Sequence, residues 1–96
     1  MFVLNVSYTQ PPAAVEPHVA SHGAWVKHYL ETGVIVAAGP KRSGLGGVLL
    51  VQGVDREGLR RMLAEDSYVQ ADVAEYQVTE LDFKATAPAL APLKTF

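Results

Sequence analysis

No cysteine occurs among the 96 residues. Disulfides, thiolate metal sites and a cysteine nucleophile are therefore excluded. Positive charge is also scarce, with 8 Lys+Arg against 10 Asp+Glu and a formal net charge of −2. Such a chain lacks the phosphate-neutralising field that nucleic-acid binders use, so no nucleic-acid partner is expected. Long apolar runs are missing as well. Nothing approaches the ~18 residues of a membrane span, and no membrane partner is expected. The N-terminal stretch MFVLNVSYTQ has no basic region, and Asn5 interrupts its apolar run. It does not read as a signal peptide, and a cytoplasmic protein is the expectation.

What is present is the composition of a globular chain. Apolar residues make up 49% and charged residues 19%, which suits one domain with one modest core. Residues 2–8 alternate: Phe2, Leu4, Val6 and Tyr8 point one way, Val3, Asn5 and Ser7 the other. That is the pattern of a half-buried strand. Thr9 to Ala14, with Pro11-Pro12, reads as a loop. A helix is expected from Val15 to Thr32, with Pro17 in its first turn and Gly33 as a left-handed cap. Its inward stripe is Val15, Val19, His22, Val26 and Tyr29. VIVAA (34–38) and GVLLVQ (47–52) form a β-hairpin around the loop KRSGLG. Asp55 caps a second helix over 56–65, with Leu59, Met62, Leu63 and Asp66 sharing its inner face. Residues 72–83 form a last strand. The domain spans 1–84, and an Ala/Pro-rich tail of extended character covers 85–96.

The order β-α-β-β-α-β is the ferredoxin-like α+β pattern. It gives a four-stranded antiparallel sheet with two helices on one face. VIVAA and VLLV are apolar at consecutive positions, so both faces of these strands are apolar. A second copy of the same sheet would cover the helix-free face, and a homodimer through that face is expected. The alternative is a monomer covered by its own tail.

This topology gathers His22, Asp66, Tyr8, Tyr68, Lys41, Arg42 and Ser43 at one end of the sheet. His22 and Asp66 are the ionisable groups that break otherwise apolar helix faces. A carboxylate beside an imidazole fixes its tautomer, and the pair can serve as a general base or acid. The structural alternative is a satisfied core histidine and a local helix-end cap. His18 and His22 are spaced i,i+4 and could join Asp66 in a two-His, one-carboxylate metal site. His18 reads more simply as a plain first-turn surface residue, and neither metal nor cofactor is expected. His28 falls off the inner stripe, and Trp25 is packing, a dimer contact or a pocket wall, the first two being the commoner roles. Gly44, Gly46 and Gly47 lie between strands, so they are no nucleotide-binding fingerprint.

Five stretches carry a family resemblance: SHGAWV (21–26), VIVAAGP (34–40), GGVLLV (46–51), AEDSYV (64–69) and AEYQVTEL (74–81). In order and spacing they resemble the YciI-like (YCII-related) domain family, over about residues 1–84. The resemblance implies a ferredoxin-like fold assembled as a dimeric α+β barrel. It places a His–Asp site at His22 and Asp66, with Gly39, Pro40 and Tyr68 at accompanying motif positions. It also implies proton-transfer chemistry of the lyase, isomerase or dehalogenase type on a small organic, cyclic substrate. Asp66-Ser67-Tyr68 stands where the family usually has Asp-Pro-aromatic, and the tail after Ala85 lies outside the resemblance.

Two functions are therefore carried forward. In the first, His22 is the general base or acid and Asp66 orients it. Tyr8, Gly39, Pro40, Lys41, Arg42, Ser43 and Tyr68 would then bind the substrate. In the second, the chain is a non-catalytic small-molecule binding or interaction module. An open cavity beside a paired His22 and Asp66 favours the enzyme, and a filled one favours the module.

Overall fold

The alternation of residues 2–8 becomes strand β1, Phe2–Tyr8, with Phe2, Leu4 and Val6 buried. In the computed structural model, which describes residues 1–94, β1 lies near the middle of a four-stranded antiparallel sheet. The other strands are β2 (Ile35–Pro40), β3 (Gly46–Val51) and β4 (Ala74–Glu80), in the order β2-β3-β1-β4. Leu4 stands opposite Leu49 on one side and Val78 on the other; Val6 stands opposite Gly47 and Tyr76. This register puts β1's buried residues and the Tyr76 ring on one face.

The helices differ from the expected two. Helix α1 (Pro12–Val15) forms inside the stretch read as loop, because Pro12 has the φ of a first helical turn and needs no N–H there. The chain then tightens into a 3₁₀ turn over Glu16–His18. Pro17 cannot donate to the preceding turn, so the single helix expected from Val15 is divided here. Helix α2 follows as Val19–Thr32, closed by Gly33 at φ 82°. The break also rotates the inward face. Val19 is 41% exposed, and Trp25 is the buried residue of α2, its indole N–H donating to the Met62 carbonyl at 3.1 Å.

Helix α3 (Arg56–Ala64) is capped by Asp55, whose carboxylate accepts from the Gly58 N–H at 2.7 Å. Asp66 does not share its inner face. It starts a separate one-turn helix, α4 (Ser67–Gln70). Strand β4 is shorter than the expected 72–83. Asp72 adopts φ 55°, a left-handed conformation that no strand accommodates, and the ladder opens only at Ala74. The tail is not simply extended: Pro88–Leu93 forms a 3₁₀ segment, and Phe83 bridges to Lys94.

Two apolar clusters hold the layers together. The larger joins Phe2, Leu4, Ile35, Leu49 and Val51 to Trp25, Leu59 and Met62. The smaller joins Val6 to Val15, Tyr68, Val73 and Ala74. Each fully buried side chain of this size contributes about 1.5–3 kcal/mol. The helix-free face is less uniform than expected. Val3, Val48 and Leu50 lie on its β3 side, but Asn5, Gln77 and Thr79 make it polar towards β4. Among the described residues, no helix is long and apolar enough to cross a membrane.

Gly46 starts β3 at φ 147°, and a Cβ there would lie 1.9 Å from the Val6 carbonyl oxygen. Gly46→Ala should therefore destabilise the fold by about 3 kcal/mol or more in urea denaturation. Gly44→Ala, left-handed but with nothing within 4 Å of the added Cβ, should cost only about 1 kcal/mol. Equal costs would show that the Gly46 approach is not tight.

Candidate functional site

Asp66 is an Asp in the place where a helix N-cap is wanted. Its backbone is extended, its carbonyl accepts from Val69 and Gln70, and its Oδ1 accepts from the Tyr68 N–H at 3.2 Å. The same Oδ1 meets Nδ1 of His22 at 2.7 Å, and Oδ2 accepts from the Tyr76 hydroxyl. The side chain is fully buried. Burial of a carboxylate requires such donors, because a carboxylate offers only acceptors. The network therefore assigns the proton on the His22 ring to Nδ1. Nε2 is left as the ring nitrogen available to the cleft.

His22 comes from the first half of α2, and its side chain is 18% exposed. Its ring stacks on Tyr68 with centroids 3.8 Å apart and planes 4° from parallel. Trp25 lies 5.7 Å away on the same helix. The Ser67 hydroxyl donates to the His18 carbonyl at 3.1 Å, tying α4 to the start of α2. The ring is thus fixed by stacking, by its hydrogen bond and by the helix that carries it. The Tyr8 and Tyr68 hydroxyls stand 3.5 Å apart.

Burial, and then the hydrogen bond and charge of Asp66, push the Tyr76 hydroxyl well above its ordinary pKa of 10.0. Burial, and then the Tyr8 hydrogen bond, push Tyr68 upward as well. Both remain protonated donors at neutral pH. A third tyrosine, Tyr29, donates to Glu65 at 2.5 Å, and that hydrogen bond leads its rise to about 12.

An open cleft of about 320 Å³ lies beside the His22–Asp66 pair. Tyr8, His22 and Tyr68 supply its polar side chains. Val26, Ala38 and Leu49 line the apolar part, and Gly39 and Pro40 stand at its β2 wall. Of the residues expected to bind substrate, the structure therefore brings Tyr8, Gly39, Pro40 and Tyr68 to the cleft. It does not bring Lys41, Arg42 and Ser43 there. Lys41 donates to the Ser7 hydroxyl at 3.0 Å, Ser43 accepts from the Leu45 N–H at 3.2 Å, and Arg42 is exposed. The loop hydrogen-bonds to itself, Gly44 N–H to the Lys41 carbonyl and Lys41 N–H to the Gly46 carbonyl, both at 2.9 Å.

His18 stands at the N-terminal boundary of α2, and its side chain makes no capping hydrogen bond there. Among the described residues, no group of three or more His, Cys, Asp or Glu could hold a metal ion. Sequence reasoning missed Tyr76 as a partner of Asp66. The signal was available in the register: Tyr76 shares a face with Leu4 and Val6 and sits at the end of the sheet where Asp66 lies. The arrangement as a whole can take up a proton at Nε2, hold the resulting imidazolium against Asp66, and offer two tyrosine hydroxyls to an oxygen in the cleft.

The model of the YCII-related domain matches residues 1–82 of the chain. Among curated proteins, none matches in sequence. Among solved structures, the chain is similar to 5-chloro-2-hydroxyhydroquinone dehydrochlorinase from Burkholderia phenoliruptrix, solved in complex with 2,5-dihydroxybenzoquinone. The TM-score is 0.68 at 15% identity, covering 85% of this chain and 94% of that one. At that identity the likeness establishes a shared fold.

The tyrosines give the site an alkaline signature. Below pH ~10 folded and unfolded tyrosines are both protonated, so they add no pH dependence. As pH rises past the unfolded value, the unfolded chain ionises first, and stability falls until the raised folded values are reached. Tyr76→Phe should make this decline shallower. It should also cost about 1–3 kcal/mol at neutral pH, because Oδ2 of a buried carboxylate loses its donor. Urea denaturation from neutral to alkaline pH measures both, and identical slopes for the two proteins would contradict the assignment.

Proposed function

This chain belongs to the YCII-related domain family, and from that premise we propose that it is a small enzyme performing proton transfer on a small, cyclic organic substrate. The observation that carries the proposal is the Nδ1 to Oδ1 hydrogen bond of 2.7 Å between His22 and a fully buried Asp66, beside an open cleft. His22 acts as the general base and then the general acid through Nε2. Asp66 holds the tautomer that leaves Nε2 basic and stabilises the imidazolium once it forms. Tyr68 and Tyr8 donate to an oxygen on the ring, where negative charge develops as the proton leaves. Returning the proton to another atom gives an isomerisation. Loss of a leaving group from the neighbouring atom gives an elimination, the class to which a dehydrochlorination belongs. None of these steps calls on a cofactor.

The active form in this proposal is a cytoplasmic homodimer, joined through the helix-free face. Val48 is 38% exposed on that face, and Val3 and Leu50 flank it. On the same face, the Asn5 side-chain amide oxygen, Oδ1, is buried without a hydrogen-bond partner. A second sheet would cover the apolar side and supply polar partners to the other. Residues 1–84 form the catalytic domain and 85–96 an accessory tail.

Thermal-shift screening against phenols, hydroxyquinones and cyclic carboxylic acids tests the binding half, since a ligand of the native state raises the melting temperature. With a ligand in hand, His22→Gln should retain binding and lose about 10²–10⁴-fold in turnover. Asp66→Asn should also lower turnover. A ligand that binds well and is never converted would favour the binding module instead. Light scattering at micromolar concentration should give twice the chain mass, and a monomer would refute the assembly.

A further inference from the structure

We infer that Gly23 determines how large a ring system the cleft admits; the inference rests on the reading of the His22 cleft as a ligand site. Glycine is the least favourable ordinary residue inside a helix, because it loses the most backbone freedom on folding. Yet Gly23 is the fifth residue of α2, a helix of 14. Two needs explain other glycines of this chain. Gly33 takes a left-handed φ of 82°, and Gly46 lies too close to the Val6 carbonyl for any Cβ. Neither need exists at Gly23. Its backbone is ordinary right-handed helix, and a Cβ built there would meet nothing within 4 Å.

What Gly23 does have is a position on the cleft wall, next to His22. A side chain there would project into space that the present residue leaves open. Val26 follows one turn later on the same wall, and Ala38 and Leu49 stand across from α2 as paired residues of β2 and β3. Among the described residues, the polar side chains of the lining are confined to His22, Tyr8 and Tyr68, and no Lys, Arg, Asp or Glu lines it. The ligand class that fits is an uncharged ring with a hydroxyl or carbonyl at the histidine–tyrosine end. Its apolar second ring or substituent occupies the room beside Gly23. The glycine is thus a local cost to the helix that keeps the cleft wide.

Phenol and 2-naphthol serve as a pair of neutral probes that differ by one fused apolar ring. Binding to wild type, Gly23→Ala and Gly23→Leu is followed by the NMR signals of His22 and Tyr68, and assembly by light scattering. Wild type should bind 2-naphthol more tightly than phenol. Gly23→Leu should weaken 2-naphthol by about tenfold or more while leaving phenol within about twofold. Gly23→Ala should raise the melting temperature of the free protein by roughly 4 °C, as expected for removing a mid-helix glycine. If both probes bind all three proteins alike, Gly23 sets no size limit and the inference fails while the site reading stands. If Gly23→Ala lowers the melting temperature, or Gly23→Leu changes the assembly state, the glycine serves packing and the inference is overturned. If neither probe perturbs His22 or Tyr68 in wild type, the site reading falls and takes the inference with it.

Discussion

A fully buried carboxylate held by donors from three separate elements is the constraint on which this end of the molecule depends. His22 reaches Asp66 from α2, the Tyr68 N–H from the turn of α4 that Asp66 itself caps, and the Tyr76 hydroxyl from β4. Removing a carboxylate from water costs several kcal/mol unless its lone pairs are satisfied. Satisfying them here requires that helix layer and sheet be in register to within a hydrogen-bond length. The same contacts that hold the tautomer of His22 therefore also fix how α2 and α4 sit on the sheet. In the proposed reaction, chemistry and folding share one residue.

That sharing explains why the cleft stays open next to a closed network. The larger apolar cluster centres on Trp25, Leu59 and the β1–β3 ladder, and the smaller on Val6, Val15 and Tyr68. Along α2, His22 lies one turn from Trp25, with Tyr68 stacked on its other side. Between β2–β3 and α2 the available side chains are small, Gly23, Ala38 and Gly47 among them. Beside this gap, Trp25 and Met62 belong to the cluster that packs the helices against β1, β2 and β3.

The strands of the fold were legible because period-two alternation survives as burial in β1 and as a continuous apolar run in the hairpin. The helices were less so. Pro17 reads equally well as a first-turn residue and as a break, and only the 3₁₀ turn over Glu16–His18 decides. Asp72 looks like strand in sequence, and its left-handed φ depends on how α4 returns to the sheet. Within the site, the antiparallel run of the helices was enough to bring His22 and Asp66 to the same end. It could not say which side of the sheet a loop would take. Lys41 to Ser43 do leave β2 at that end, but Lys41 turns to Ser7, whose side chain belongs to the helix-free face. The cleft lies on the helix face.

Tyr76 shows the opposite limit. In sequence it is an aromatic in a strand with alternating burial, and nothing distinguishes it from core. In the structure its ring is core and its hydroxyl is not: the ring packs against both apolar clusters while the hydroxyl donates to Asp66. A phenylalanine would fill the same space and leave a buried carboxylate oxygen without its donor. The choice between the two aromatics is therefore made by Asp66, ten residues earlier, and becomes visible only when β4 is placed beside β1. An amphipathic residue whose apolar part satisfies the local pattern conceals its polar role from any reading confined to that pattern. Functional geometry is then carried by the register of the sheet rather than by a motif.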